Sequence, residues 1–457
     1  MALNNLPASI QTAIQTGFLE REFREPLYAN FAYRSVATRE TFMANIGETL
    51  TKTRSALLPV ITTPASTTAN TDLDNGMSAQ SFNVEQYIVT LNQYKATMDL
   101  NMMFERFAIA SVFLQNARKL GEQAARSVET LAQQALYNAQ LGQNTRVTTT
   151  LGAPGTTVHV DDIRGFTVSW TTNNSPVAVS SSNPLSVTFI RSGAYSSGTN
   201  STNVTGSTYN VTGFTADGSN TSTAPGGISG NLTFASNVSV ADGTANNGLV
   251  AAVAPVIQRP FNRATTFQLG AGDTLTMQLL LQAKATLVAN AVPTFSNGMY
   301  RMVVDPFMVL PLYQDPAFQR FQIGHTGDGE YKRGKIAELL GIELIESVMT
   351  PVQASLGGGT IHRGVLMGEG VLVEADWTDV GYNNVKNSLD EEELTVVDGI
   401  AHITRPPLDR LGQVITQSWT YVGGFYSPTD LGTTTTTIPT ANNSAWKRAV
   451  VIETTAA

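Results

Sequence analysis

The stretch FERFAIASVFLQNARKLGEQAARSVETLAQQALYNAQ, residues 104–140, sets apolar or small residues at three- and four-residue steps. They are Phe104, Phe107, Ser111, Leu114, Ala117, Gly121, Ala124, Val128, Leu131, Ala135 and Leu136. That is the period of one helical face. Good helix formers fill the other positions, among them Glu105, Arg118, Lys119, Glu122, Gln123, Arg126, Glu129 and Gln133. No proline interrupts the chain between Pro64 and Pro154. The amphipathic segment, from about Leu100 to Gln140, predicts one helix of about 35 residues, some 50 Å long, about three times the usual length. Such a helix is a spine, and the small residues Ala117, Gly121, Ala124 and Ala125 suit close packing on a sheet.

The block after it differs sharply. From Gly152 to Gln258 the only charged side chains are Asp161, Asp162, Arg164, Arg191, Asp217 and Asp242. Short β-rich runs at 157–160, 166–170, 185–190, 207–211, 231–234 and 249–256 alternate with Gly, Asn, Ser and Pro. This punctuation predicts a small β sandwich or barrel inserted between the helix and the sequence beyond.

Before the spine, residues 47–54 suit a strand, residues 59–76 are turn-rich, and Val84, Tyr87, Val89, Leu91 and Tyr94 mark a returning strand. Together they predict a long hairpin with little sequence of its own to bury it, which therefore needs a partner. Residues 1–54 are charge-dense, with Glu20, Arg21, Glu22, Arg24, Glu25, Arg34, Arg39 and Glu40 around Leu19, Phe23, Leu27 and Phe31. They read either as a solvated helical segment with an apolar stripe or as an extended arm on a neighbouring subunit.

Beyond the β block the pattern is mixed α+β. A helix is expected over 273–290 and a buried strand over 299–304. Asp305-Pro306 and Asp315-Pro316 each place a capping carboxylate before a proline at the first helical position. A short helix is expected over 334–340. Strands are expected at 342–345, 364–367, 370–373, 393–397, 413–422 and 449–452, and the Thr433–Thr437 run reads as a linker.

The chemistry is sparse. Among 457 residues there is no cysteine, so thiol catalysis, disulfides and cysteine-ligated zinc are excluded. A net charge of −8 argues against a general nucleic-acid grip. The N-terminus lacks the basic and apolar regions of a secretory leader, and no apolar run approaches a membrane span; a soluble protein kept in the cytoplasm is expected. Gly329 to Lys335 has the spacing of a phosphate-binding loop, but Ile336 stands where the magnesium ligand belongs. A basic surface turn is the better account. His159, His325, His362 and His402 are scattered without metal-ligand spacing. Asp390 to Glu393 reads as a solvated turn before it reads as a cation site, and Asp161-Asp162 as a turn preceding a strand before it reads as a calcium pair. Eight Asn-x-Ser/Thr triplets, at Asn173, Asn200, Asn203, Asn210, Asn220, Asn231, Asn237 and Asn442, arise readily by chance in so Ser/Thr/Asn-rich a chain. No catalytic, cofactor-binding or metal residue, and no cofactor, is expected.

The ordered set of elements is more specific than any one motif. Residues 47–54 followed by 84–100 resemble the two strands of an extended loop. Thr274 to Pro293 is similar to a helix ending in an Asn-x-Val-Pro turn. Met302-Val-Val-Asp-Pro306 before Leu312-Tyr-Gln-Asp-Pro-Ala-Phe318, and then Gly334 to Ser347, complete the series. In this order the chain resembles the major capsid proteins of tailed bacteriophages, the Hong Kong 97-type fold.

The resemblance covers most of the chain outside the β block and implies an α+β architecture. Its parts would be an N-terminal arm (1–50), an extended hairpin loop (51–100), a peripheral domain with the spine helix (101–151), the inserted β domain (152–258), a peripheral and axial region (259–425), and a C-terminal segment with the last strand (426–457). It implies that residues 1–54 lie on neighbouring subunits. It implies no enzyme activity but self-assembly into hexamers and pentamers of an icosahedral head. That head would enclose double-stranded DNA without sequence-specific contact, with scaffolding, portal and decoration proteins as further partners and no membrane. The virion would be its location and the host cytoplasm its place of assembly. No cleaved scaffolding segment is expected. Lys52 or Lys95 are the lysines a covalent cross-link of some relatives would use, yet no catalytic carboxylate stands out to match them. The main rival is a cell-surface or S-layer-like structural protein, which the Thr/Asn-rich block and the triplets would suit.

Overall fold

The computed structural model of the chain describes residues 18–28, 32–41, 49–55, 84–101, 109–170, 176–193, 199–323, 338–354, 356, 359–376, 394–407, 410–429 and 447–456. In chain order the first elements are α1 (Phe18–Tyr28), β1 (Thr38–Thr41), β2 (Thr49–Ser55), β3 (Val84–Thr90), β4 (Asn92–Asn101) and the spine α2 (Ile109–Leu141). Then come β5 (Asn144–Arg146), β6 (Gly155–Val160), β7 (Val168–Trp170), β8 (Pro176–Ala178), β9 (Leu185–Arg191), β10 (Val204–Ala216), β11 (Gly230–Val238), β12 (Gly248–Ala251) and β13 (Val256–Gln258). The next group is α3 (Met277–Ala289), β14 (Tyr300–Val304), α4 (Pro306–Gln314), α5 (Pro316–Ile323), β15 (Glu338–Leu339), β16 (Ile342–Glu346) and β17 (Ile361–Met367). Last are β18 (Val373–Asp376), β19 (Leu394–Val397), β20 (Ile400–Arg405), β21 (Val414–Tyr426) and β22 (Ala449–Thr455).

Two compact units divide the chain. The first holds Met1–Lys52, Ile88–Ala135 and Leu372–Tyr426; the second holds Thr53–Tyr87, Leu136–Val371 and Ser427–Ala457.

The first unit is built on β21. This long strand pairs with β4 over ten positions, Val414↔Asn101 to Gly423↔Asn92, and with β20 and β18 along its length. Strand β1 joins β18 in parallel, and β19 closes a hairpin with β20. The core pairs Leu120, Ala124, Ala125 and Val128 of α2 with Trp419, Tyr421, Ile400 and Phe23.

Two expectations change here. Residues 84–101 form two strands, and the spine helix is described from Ile109 rather than from Leu100, because Tyr94, Ala96, Met98 and Leu100 alternate and pair along β21. The buried face of α2 is also rotated from the expected stripe. Phe113, Leu120 and Ala132 are fully buried, whereas Leu114 and Leu131 are half-buried. The face meeting the sheet is centred on the small residues Ala117, Ala124 and Ala125, which allow close approach.

In the second unit, β5-β12-β9-β10-β11-β6 form one antiparallel sheet. Its two ends meet. Val147 bridges Val160, the Thr148 N–H donates to His159 O at 3.1 Å, and the Asp161 N–H donates to Arg146 O at 3.0 Å. The sheet therefore closes as a small barrel, leaving no open edge at that seam. Alternating residues of β9, Leu185, Val187 and Phe189, point inward with Leu232, Phe234, Val158 and Val160 to make its core. A separate short hairpin, β7–β8, stands beside it.

The second sheet, β13-β22-β17-β14-β16-β15, carries α3 and α4 over a core of Leu280, Leu287, Met302, Val304, Met308, Phe318 and Ile452. The C-terminal β22 lies inside this sheet between β13 and β17, and all seven of its residues are buried. The helix expected over 334–340 is corrected at its end. Glu338–Leu339 is a strand, paired with β16 through a two-residue turn in which Leu340 (φ 55°) and Gly341 (φ 75°) are both left-handed. That turn geometry matches the twist of a hairpin, and the Lys284 ammonium donates to the Leu340 carbonyl at 2.5 Å.

Asp305 caps α4 as its sequence signal predicts. Its Oδ1 accepts from the Phe307 N–H at 2.8 Å, and its Oδ2 accepts from the buried Thr350 hydroxyl at 3.0 Å. Asp305→Ala loses the cap and the shorter of the Thr350 hydroxyl's two bonds, leaving it the one to the Ser347 carbonyl at 3.3 Å, with an expected cost of about 1–2 kcal/mol. A lower urea midpoint with unchanged helix content in the full chain would show it; an unaltered midpoint would mean that the cap carries no stability.

Candidate functional site

The densest convergence of buried charge in the first unit joins four stretches far apart in sequence. Residues 32–36 form a tight turn in which Tyr33, Arg34 and Val36 are buried. Opposite them, Glu129 projects from the middle of α2 and is fully buried. Its Oε1 accepts from the N–H groups of Ala32 (2.8 Å) and Tyr33 (2.6 Å), and its Oε2 from that of Arg34 (3.2 Å). Burial pushes the Glu129 carboxyl above its usual range, and the three donors offset only part of that.

Arg34 turns the other way. Its Nε donates to Glu374 Oε1 (2.9 Å) and Oε2 (3.1 Å), and its Nη2 to Glu374 Oε1 (2.7 Å). Nη1 reaches Asp398 Oδ2 at 3.0 Å, and Nη2 also reaches the Asp398 carbonyl at 2.8 Å. The Tyr421 hydroxyl donates to Glu374 Oε1 at 3.0 Å. Arg39, half-exposed, completes the set on Asp398. Burial works against the charge on Arg34, but the two carboxylates outweigh it and hold the guanidinium firmly protonated. Two arginines face two carboxylates, so charge balances and the fork geometry is filled.

This arrangement fastens; it has no group poised to react. Every carboxylate oxygen in it already accepts a hydrogen bond. Its effect is to fix residues 32–41 against α2, β18 and the β19–β20 turn. Helix α1 is held on the same body, since Leu19 and Phe23 are buried in it. The expectation that residues 1–54 lie on neighbouring subunits is corrected for Leu19, Phe23, Tyr33 and Val36, which are buried against their own chain.

Reading the sequence did not single out Glu129, Glu374 or Asp398 as partners of Arg34. One signal was present. Asp398-Gly399, both left-handed (φ 54° and 78°), is the dipeptide that favours a tight hairpin, and it sets Asp398 at the tip of β19–β20.

The other singled-out residues do not assemble. Residues 324–337, 377–393 and 430–446 lie outside the described residues, and with them His325, the Gly329–Lys335 loop, Asp390–Glu393, Thr433–Thr437 and Asn442. So do 171–175, with Asn173, and all of the turn-rich stretch 59–76 expected at the hairpin tip. His159 Nε2 lies 2.8 Å from Asp217 Oδ2, His362 Nδ1 lies 3.3 Å from Asp305, and His402 is buried against Phe23. Asp161 and Asp162 are buried and paired with Arg146 and Arg164. Lys95 is exposed on β4, and Lys52 lies in β2. Among the described residues no three His, Asp or Glu gather to hold a metal, and no helix is long and apolar enough to cross a membrane.

No family model matches the chain, and no curated protein matches it. Solved structures do. The capsid of Ralstonia phage GP4 aligns with 93% of this chain and 88% of its own at 12% identity, with a TM-score of 0.50. The capsid of cyanophage P-SCSP1u aligns at 11% identity over 93% of this chain and 88% of its own (TM-score 0.45). That of cyanophage Pam1 aligns at 11% over 95% and 93% (TM-score 0.45). The first likeness, spanning nearly the whole of both chains, gives this protein the mixed α+β, Hong Kong 97-type fold of the tailed-phage coat proteins.

Proposed function

We propose that this chain is a shell-building coat protein that assembles with copies of itself, as hexamers and pentamers, into the icosahedral head enclosing a phage genome. The observation that carries this reading is the fold shared over nearly the full length of the GP4 capsid chain. Surface chemistry supports it. On the second unit Phe307 (61% exposed) and Leu310 on α4, and Val348 (86% exposed) with Val352 beyond β16, are apolar and open to solvent. The Thr350–Asp305 bond holds that turn beside the start of α4, so the four belong to one neighbourhood. Exposed apolar residues in this number suit surfaces that are covered on assembly.

In this role the protein is structural and not an enzyme. Residues 1–17 and the β2–β3 hairpin reach across neighbours, and the barrel of residues 144–254 is an insertion carried on the outer face. DNA is enclosed without sequence-specific contact, scaffolding, portal and decoration proteins are further partners, and the virion is its location after assembly in the host cytoplasm. Electron microscopy with mass photometry tests this. Closed shells, or rings of five and six, are expected, and deleting residues 1–17 should leave a folded subunit that assembles poorly. A chain that stays monomeric even with its neighbouring phage proteins co-expressed would overturn the reading.

A further inference from the structure

Charge does not balance where the barrel meets the second sheet. Four guanidiniums, Arg146, Arg164, Arg259 and Arg363, stand among three carboxylates, Asp161, Asp162 and Glu453. Asp162 is taken up by Arg164 through Nε and Nη2 (2.7–3.1 Å). Asp161 accepts from the Thr223 N–H (3.0 Å) and hydroxyl (2.6 Å), with Arg146 Nη2 more distant at 3.4 Å. Glu453 is shared: its Oε1 accepts from Arg363 Nε at 2.8 Å and its Oε2 from Arg259 Nε at 2.7 Å. One positive charge is left over.

The donors left over are in the same place. Arg363, only 1% exposed, gives its Nη2 to Gln353, while its Nη1 has no partner among the described residues. The Nε of Arg146 likewise has none. Both side chains line a cavity of about 50 Å³, together with Asp161, Arg259, Gln353 and Glu453. A buried cation without a full counter-charge and a buried N–H without an acceptor are each costly. A water molecule could accept from both donors but would not supply the missing charge. On the same scale one water needs about 10–15 Å³, so the space admits an ion of chloride size with water beside it.

We propose that this cavity binds a small inorganic anion of chloride size, which accepts hydrogen bonds from Arg363 Nη1 and Arg146 Nε and joins the barrel to the β17–β22 sheet. This inference stands apart from the shell reading, since it concerns only how one subunit is held together. Thermal unfolding of the full chain in sodium chloride against sodium gluconate, at equal ionic strength, tests it. Chloride is expected to raise the midpoint saturably by about 1–3 °C, and gluconate to leave it unchanged. Arg146→Gln keeps both Thr223 bonds to Asp161 and should fold yet lose the chloride response, as should Arg363→Gln where it folds. Crystals grown in bromide should show anomalous density within hydrogen-bond reach of Arg363 Nη1. Equal midpoints in the two salts, a non-saturating response that Arg146→Gln retains, or water alone at that position in bromide would overturn the proposal.

Discussion

Methionine in place of Arg34 is expected to destabilise the first unit by about 3–5 kcal/mol. The change keeps the aliphatic stem and removes the guanidinium, so the larger part of the loss is electrostatic and the smaller part the void left by the buried head group. What it leaves behind is Glu374, fully buried, with the Tyr421 hydroxyl as its remaining close donor and Arg39 at 3.4 Å from Oε2. Arg39 cannot take over: its side chain is 45% exposed and already committed to Asp398. The decisive comparison is the double variant with Glu374→Gln. Removing both charges should recover much of the loss, because an uncompensated buried carboxylate costs more than an absent pair. Urea unfolding followed by circular dichroism reads both. If the double variant were no more stable than Arg34→Met alone, the stranded carboxylate would not be the source of the loss.

That cluster also shows why part of the fold was legible and part was not. The spine, the Asp-Pro helix starts and the alternating strands of the barrel are local patterns, in which each residue's neighbours in sequence are its neighbours in space. The spacing of Ala117, Ala124 and Val128 therefore predicts the helix, and only its exact rotation waits on what packs against it. Arg34 and Glu374 are 340 residues apart. A buried ion pair and a solvated charge run use the same letters, so the charge density of residues 20–40 reads as surface although Arg34 is among the largest fully buried side chains. Strand β1, set in parallel beside β18, has the same problem: Thr38–Thr41 carries no apolar alternation, and only its partner defines it. The barrel's closure was not legible either. It depends on the contacts of residues 146–148 with 159–161, the Val147–Val160 bridge among them, which strand-by-strand reading does not contain.

Acid should loosen the first unit through His402. The imidazole is 1% exposed on β20, its ring centroid lies 4.8 Å from that of Phe23, and its Nε2 has no partner among the described residues. Burial lowers its pKa from 6.5 to about 4. Between those values the unfolded chain takes up a proton that the native chain refuses. Stability from this group is therefore complete above pH 6.5 and falls as the pH drops toward 4, by about 1.4 kcal/mol per unit and about 3 kcal/mol in all. Glu129 acts in the opposite sense. Its raised carboxyl favours the folded state more as pH falls through that raised value, so the raw pH profile mixes the two. His402→Leu separates them: the natural chain minus the variant isolates the imidazole, and that difference should grow steadily in the variant's favour below pH 6.5. Phe23 is carried on α1, so the first amides to lose exchange protection in acid should be those of residues 18–28. A flat difference profile would mean that His402 takes up its proton in place without cost. A sloping profile with α1 still protected would mean that the cost falls on β19–β20 instead.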